Sequence, residues 1–441
     1  MTLLSKRVES NDGGATGVQP DRGGDGARLP GLLTLLVAIL ASTMIGQSIV
    51  HGWIGWPGFD YRAFAAAGRA FIKEGAAATY DLESLARYGR EVMGSDDAII
   101  PVAPYPPAVL PILAPFGLLS LPVGFLVWLL VNLAGTLYAL HALAARFPHH
   151  RRKIVALGVL ALPVLDGLLV GQPMALLLLG MYGLYRNLEV GRDGRAGLWG
   201  GLLLFKPQYV VLLGLVLLLK RRWRAVAGFA VSGAGLLLVS VLVAGIDGVQ
   251  AYLRLLSGVG AIDSDVLGIN PAAMMTWRGL LVNLVPGAPA AVTGVAVVVL
   301  TVLTGAALIP IWRGAWTPSS PRFALQMLAT VAAGLLVSYH SHTHGAALLV
   351  VPLLAAAATG AMPQAVRVLT ALGLVVPPVL SIVLAGYEIV WRPPVAVVLA
   401  ALALGTVAAS IWALCGQRFE GREAAVEAGS APRAVSEAGP A

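Results

Sequence analysis

Twelve apolar runs divide this chain, at about 31–50, 122–145, 154–170, 173–187, 196–206, 208–219, 225–245, 290–311, 323–339, 346–361, 366–386 and 393–415. A helix needs about 20 apolar residues to cross the hydrocarbon core of a bilayer, and in lipid only helices and closed barrels satisfy their own backbone. The runs predict an all-α polytopic membrane protein with about twelve crossings. Composition agrees, since 58% of the residues are hydrophobic and only 12% charged, against roughly 25% charged in soluble domains. The polar segments 1–30 and 416–441 are expected as disordered cytoplasmic tails around one membrane domain, 31–415. No basic segment leads into an apolar core with a small-residue cleavage site, so the first helix is expected to be an uncleaved anchor.

The formal charge of +8 does not indicate nucleic acid, because the cations sit in short loops between spans. Arg146, Arg151, Arg152 and Lys153 form one cluster, Arg186, Arg192 and Arg195 a second, and Lys220, Arg221, Arg222 and Arg224 a third, followed by Arg313 and Arg322. The positive-inside rule puts these in the cytoplasm together with the N-terminus. Two positions test that parity. Residues 104–122, "PYPPAVLPILAPFGLLSLP", hold six prolines and are expected as a re-entrant or interfacial helix. Residues 196–219 have basic flanks on both sides, so they must cross an even number of times, with "FKPQ" at 205–208 as the turn between two short helices. The long loops 52–103 and 246–289 then lie outside, with short segments at 166–172, 206–208, 340–345 and 386–392. The working face is therefore expected to be periplasmic or extracellular.

The unusual polar residues collect on that face. Asp60 follows the first span in "GFDYRAFAAAGRAF". A carboxylate at an apolar boundary is placed for general-base work, and an Asp before a good first helical turn equally reads as an N-cap; both readings are open. Lys206 is an ammonium in an apolar stretch, which marks either a ligand path or a snorkelling side chain. "SYHSHTHGAALLVVP" brings His340, His342 and His344 to the end of a span. They can bind a substrate phosphate or hydroxyl, hold a metal through the 340/344 spacing if further ligands exist, or simply end a helix. Arg278 beside Trp277 is either an interfacial anchor or a second cation for an anionic ligand. Asp166 reads as a helix end broken by Gly167 and Gly171. The acid pairs in "SDD" at 95–97 and "DSD" at 263–265 read as solvated loop acids, with a divalent-cation site the alternative for the second pair. Cys415, the single cysteine, excludes an internal disulfide. No phosphate-binding glycine loop, dinucleotide fingerprint or serine elbow is present, and no cofactor is expected.

Several segments in order resemble those of glycosyltransferase family 87, integral membrane enzymes that use polyprenyl-phosphate sugars. "GFDYRAFAAAGRAFIKEGAAATYD" is similar to the family's first-loop pattern, "YPPAVLPILAPFGLLSLP" to its Tyr-Pro-Pro helix, and "GQPMALLLLG" and "GLLLFKPQYVVLL" to its Gly-Gln and Lys-Pro segments. "SYHSHTHGAALLVVP" is similar to its Ser-to-His segment. The resemblance runs from about 31 to 415 and implies a GT-C type fold with chemistry on the external face of the cell membrane. It implies a polyprenyl-phosphate donor with mannose the family-weighted sugar; the acceptor, expected as a glycolipid or glycan, is not carried over because little of the family's acceptor-side loop is kept. Direct displacement is expected to invert the anomeric centre, and the lack of a convincing acid pair points to metal-independent transfer. The family's acid falls on Asp60, its late-span histidine on His344 and its lysine on Lys206, while Gln172 falls in its Gly-Gln segment. In this reading Asp60 and His344 are catalytic. Lys206, Arg278, His340, His342, Tyr61, Tyr105 and Gln172 bind substrate. A transporter or lipid-linked-sugar flippase is the competing expectation, since a broken helix at Lys206 also suits a carrier.

Overall fold

The computed structural model describes residues 28–51, 58–94, 102–258, 270–360, 362–387, 390 and 392–430. The pairs at 95–97 and 263–265, and most of the tails, lie outside the described residues. Every regular element among the described residues is helical. In chain order the α-helices are α1 (Arg28–His51), α2 (Phe59–Glu74), α3 (Leu82–Met93), α4 (Leu110–Leu118), α5 (Leu121–Ala144), α6 (Arg151–Leu160), α7 (Leu162–Val170), α8 (Met174–Glu189) and α9 (Asp193–Gly200). They continue with α10 (Val211–Leu219), α11 (Trp223–Gly258), α12 (Trp277–Leu284), α13 (Ala290–Ile311), α14 (Pro321–Val337), α15 (Val350–Ala358), α16 (Gln364–Gly386) and α17 (Arg392–Ser430).

Five of these, α5, α11, α13, α16 and α17, are long and apolar enough to cross a bilayer, and Pro148–Leu160 with Leu162–Val170 forms a pair bent by 50°, either a broken span or a re-entrant loop. The remaining apolar runs of the sequence fold into shorter or interrupted helices, among them Pro107–Leu118, Pro321–Val337 and Thr343–Ala358. Pro107–Leu118 extends only about 18 Å at 1.5 Å per residue, well short of the roughly 30 Å hydrocarbon core. The run 196–219 breaks at Lys206, which joins two short 3₁₀ turns (Gly201–Phe205 and Pro207–Tyr209) rather than continuing one helix.

The side-chain pattern identifies a multi-pass membrane protein. On α13, Val292, Val295, Val298, Val299, Val302 and Leu303 are all exposed; on a soluble protein a face that apolar would demand a partner, whereas lipid tails cover it without cost. By contrast α14 is buried from Phe323 to Leu336. It carries the polar pair Gln326 and Thr330, whose side chains bond to the Ile311 carbonyl at 2.8 Å and to the Trp312 indole at 2.8 Å. Inside a membrane such groups are placed toward protein, where partners exist.

Around α14 pack α13, α15 and α17, and beside them α5 lies on α8 and α8 on α9. The basic loops gather at one end of these helices. There Glu189 pairs with Arg146 and, at 2.8 Å, with Arg186; Asp193 pairs with Arg222, whose guanidinium also covers the Trp316 ring at 5.2 Å.

The helix carrying Asp60 is seated by glycine. Helix α2 crosses α4 so closely that a Cβ on Gly68 would fall on the Leu113 carbonyl, and one on Gly117 on the backbone of Gly68 and Arg69. Arg69 Nε then donates to the Gly117 carbonyl at 2.9 Å. Backbone-to-backbone approach of this kind requires small residues at the crossing. Tyr61, Phe116, Phe125 and Trp128 fill the space on α2's inner side, with ring centroids 5.1 to 6.2 Å apart.

Candidate active site

Asp60 is the second residue of α2. It does not cap the helix: the N-cap position belongs to Gly58, and no side chain bonds there. In the first turn a carboxylate faces the positive end of the helix dipole. Its Oδ2 accepts from Gln172 Nε2 at 2.5 Å, and its other oxygen has no protein partner among the described residues.

Gln172 is fixed by the end of α7. Gly171 takes a left-handed conformation (φ 90°), and the amides of Gly171 and Gln172 both return to the Gly167 carbonyl. Trp128 Nε1 donates to the Gly171 carbonyl at 2.7 Å, and a Cβ at Gly171 would strike Tyr61. Only glycine satisfies both the positive φ and the contact.

From Gln172 a polar chain continues inward. Its Oε1 accepts from Lys206 Nζ at 2.7 Å and from the Tyr105 hydroxyl at 3.1 Å. Lys206 is buried at 7% exposure, with its ammonium 5.7 Å from the Tyr105 ring centre and 5.9 Å from that of Tyr209. These faces supply cation–π stabilisation where water does not. Lys206 Nζ also lies 3.4 Å from His344 Nε2. With the ammonium donating, that nitrogen accepts and the imidazole is neutral, so its proton sits on Nδ1. Nδ1 faces Asp166 Oδ2 at 4.0 Å, and Asp166 Oδ1 meets Arg392 Nη2 at 3.2 Å. One line thus runs Asp60, Gln172, Lys206, His344, Asp166, Arg392.

The structure therefore brings together Asp60, Tyr105, Gln172, Lys206 and His344. His340 and His342 stand alongside, with ring centroids 4.7 Å apart, and His342 lies 6.0 Å from His344. Both occupy the segment between α14 and the 3₁₀ turn Thr343–Leu349. Burial pushes His342 down to about 4, partly offset by its contact with the Ala273 carbonyl at 3.0 Å, and burial holds His340 well below the usual histidine range. Arg278 is exposed at the start of α12 and acts on His340 through its charge; no bond joins it to the line.

Tyr61 corrects the expectation from sequence. It is fully buried in the aromatic cluster rather than lining the site. Successive helical residues are turned by about 100°, so Asp60 and Tyr61 cannot share one face.

Asp166 is the residue that sequence reasoning missed. It sits inside α7 at 0% exposure, not at a helix end. An acid within an apolar run is a functional signal by default, and that signal was present; its partner Arg392, far along the chain, was not foreseeable. Among the described residues no three His, Cys, Asp or Glu side chains are grouped as a metal cage requires.

Chemically, this is a carboxylate with one open oxygen, joined through an amide to a buried ammonium and a neutral imidazole. Such a set can accept a proton at one end and hold a developing anion at the other. Residues 104–339 match the model of glycosyltransferase family 87, while no curated protein and no solved structure matches the chain. The matched stretch contains Tyr105, Asp166, Gln172, Lys206 and Arg278; Asp60 precedes it, and His344 and Arg392 follow it. It covers more than half of the sequence, and the chain belongs to glycosyltransferase family 87 as a membrane glycosyltransferase.

Proposed function

We propose that this enzyme transfers a hexose, with mannose the first choice, from a polyprenyl-phosphate donor to a hydroxyl of a glycolipid or glycan, inverting the anomeric centre. The observation that carries the reading is the Asp60–Gln172–Lys206 line, an open carboxylate and a buried ammonium on two sides of one amide. In the reaction the acceptor oxygen attacks the anomeric carbon and its proton passes to the open oxygen of Asp60. The bond from that carbon to the phosphate oxygen breaks, and the electron pair leaves with the phosphate. The phosphodiester monoanion becomes a monoester dianion, and Lys206 meets the added charge. Fixed charge aimed at a developing anion in a water-poor site is among the largest catalytic effects, and general-base assistance contributes typically 10²–10⁴-fold.

His344 accepts from Lys206 and keeps its ammonium directed inward, and Asp166 supports the far side of the imidazole. Arg278, His340 and His342 give polar contacts to the phosphate or sugar at the rim, and Tyr105 steadies Gln172 through its hydroxyl. Because the leaving group is activated in the donor and its charge is met by Lys206, the reaction needs no metal. In this reading the shorter apolar helices complete about twelve crossings of a GT-C type bundle. Helix α8 separates the Gln172 end from the Arg186 and Glu189 end by about 24 Å at 1.5 Å per residue. The positive-inside rule then assigns the Asp60 line to the external face of the cell membrane.

The test is transfer of radiolabelled mannose from polyprenyl-phosphate-mannose to total membrane lipid by purified protein in detergent. A new labelled product at a rate unchanged by EDTA supports the reading. No product with polyprenyl-phosphate-mannose, -glucose or -galactose would refute the donor assignment.

A further inference from the structure

The end of α8 away from Gln172 carries a charged surface that the transfer chemistry does not use. Two turns meet there, one joining α8 to α9 and the other joining α10 to α11. They are built alike. In the first, the Arg192 amide returns to the Asn187 carbonyl at 2.8 Å and the Gly191 amide to Leu188 at 3.1 Å; in the second, the Arg222 amide returns to Leu217 at 2.8 Å and the Arg221 amide to Leu218 at 2.9 Å. This nested pair closes a helix by turning one residue into the left-handed region, the place where glycine is ordinarily found. Gly191 fills it in the first turn at φ 72°. In the second, Arg221 takes it at φ 52° and is the one non-glycine residue with positive φ among the described residues. The backbone gains nothing from a Cβ there, so the reason for an arginine lies in its side chain.

The two turns are locked side by side. A Cβ on Gly197 would fall on the Ala225 carbonyl, and one on Gly228 on the Gly194 carbonyl, a backbone crossing of α9 on α11 that only small residues permit. Asp193 pairs with Arg222 across it, and Glu189 with Arg146 and Arg186. Residues 186–195 and 220–224 contain no other acid, so both counter-charges are taken. Arg192, Arg195, Arg221 and Arg224 are exposed and, among the described residues, make no ion pair or side-chain hydrogen bond. Trp199 and Trp223 are exposed on the same two helices, as are Leu198 on α9 and Leu219 at the end of α10. Cations, indole rings and leucines together match the phosphate, the glycerol esters and the acyl chains of a phospholipid. A soluble anion would use the cations alone.

We propose that Arg221 and Arg224, with Arg192 and Arg195 across the crossing, hold the phosphate of an anionic phospholipid at this end of the bundle. The lipid is a bound part of the fold and not a substrate, so the proposal stands apart from the donor and acceptor of the transfer. The test is native mass spectrometry of the full-length protein in detergent, titrated with palmitoyl-oleoyl phosphatidylglycerol or with phosphatidylcholine carrying the same chains. Wild type is compared with Arg221→Gly, with Arg221→Gly/Arg224→Gln and, as a control at the start of α6, with Arg151→Gln/Arg152→Gln; all four arginines are exposed. Saturable binding of a single phosphatidylglycerol is expected on the wild type, weakened about fivefold in Arg221→Gly and about 25-fold in the double variant, and unchanged in the control. Glycine suits the left-handed turn, so the melting temperature of Arg221→Gly without lipid should match or exceed that of the wild type. Equal affinity for the two lipids, equal weakening in the control, or displacement of the lipid by inorganic phosphate would each overturn the proposal. So would a lower melting temperature in Arg221→Gly, which would make this arginine a support of the turn.

Discussion

Asp60 and Asp166 stand toward opposite ends of one polar line and differ in everything they touch. Asp60 is partly exposed, at the first turn of a helix, with a neutral amide as its partner. Asp166 is sealed inside α7, with a guanidinium at 3.2 Å and an imidazole beyond hydrogen-bond distance at 4.0 Å. Asp166 turns its two oxygens toward Arg392 and His344, whereas Asp60 keeps one oxygen that no protein group among the described residues meets. On the proposed function, that difference puts proton transfer at the Asp60 end and support at the Asp166 end.

The largest effect that could break this contrast is loss of the base. Asp60→Asn should lower transfer by about 10²–10⁴-fold while thermal unfolding in nanodiscs stays at the wild-type temperature, because the amide still meets Gln172. Retained activity would remove Asp60 from the chemistry. Next, Lys206→Met should lower kcat by about 10²–10³-fold with a smaller change in the donor KM, since the added charge exists only as the phosphate departs. A KM effect alone would make Lys206 a binding group.

Asp166→Asn should reverse the Asp60 pattern. Removing the acid that Arg392 faces should cost about 2 kcal/mol of stability, below the usual figure for a fully buried pair because Arg392 is 29% exposed, and the melting temperature should drop by several degrees. Activity per folded molecule should fall less than in Asp60→Asn; if it falls as far with stability intact, the division of roles is wrong.

The smallest effect concerns His342, next to the line. Its lowered value means that the unfolded chain takes up the proton first as pH falls below about 6.5. The stability it contributes is whole above that pH and is lost as pH drops toward about 4. Wild type should therefore melt a few degrees lower at pH 5 than at pH 7, and His342→Gln should flatten that slope. An unchanged slope would show that the ring is solvated.

The sequence carried the broad fold because apolar run length is a direct image of bilayer thickness. It did not carry depth. Runs as similar as those of α13 and α14 face lipid in one case and protein in the other, since hydropathy does not distinguish two apolar surroundings. Lys206 was legible from "FKPQ", where proline and an intramembrane charge coincide, and Asp60 from its isolation among small and aromatic residues. Tyr61 misled because adjacency in sequence is divergence on a helix. Asp166 was hidden for another reason: its meaning depends on Arg392 and His344, contacts that only the folded bundle creates.

The crossing of α2 on α4 has a consequence for how the enzyme sets its geometry. Gly68 lies about two turns from Asp60 along α2, in a notch where main chain rests on main chain. The Asp60 carboxylate therefore takes its coordinates from a bearing made of peptide backbone, which cannot be re-tuned by rotamer choice as a side-chain contact can. A methyl group at Gly68 would shift the pivot and swing the Asp60 end of α2 without touching Gln172, Lys206 or His344. The segment that carries Asp60 thus acts as a fixed arm.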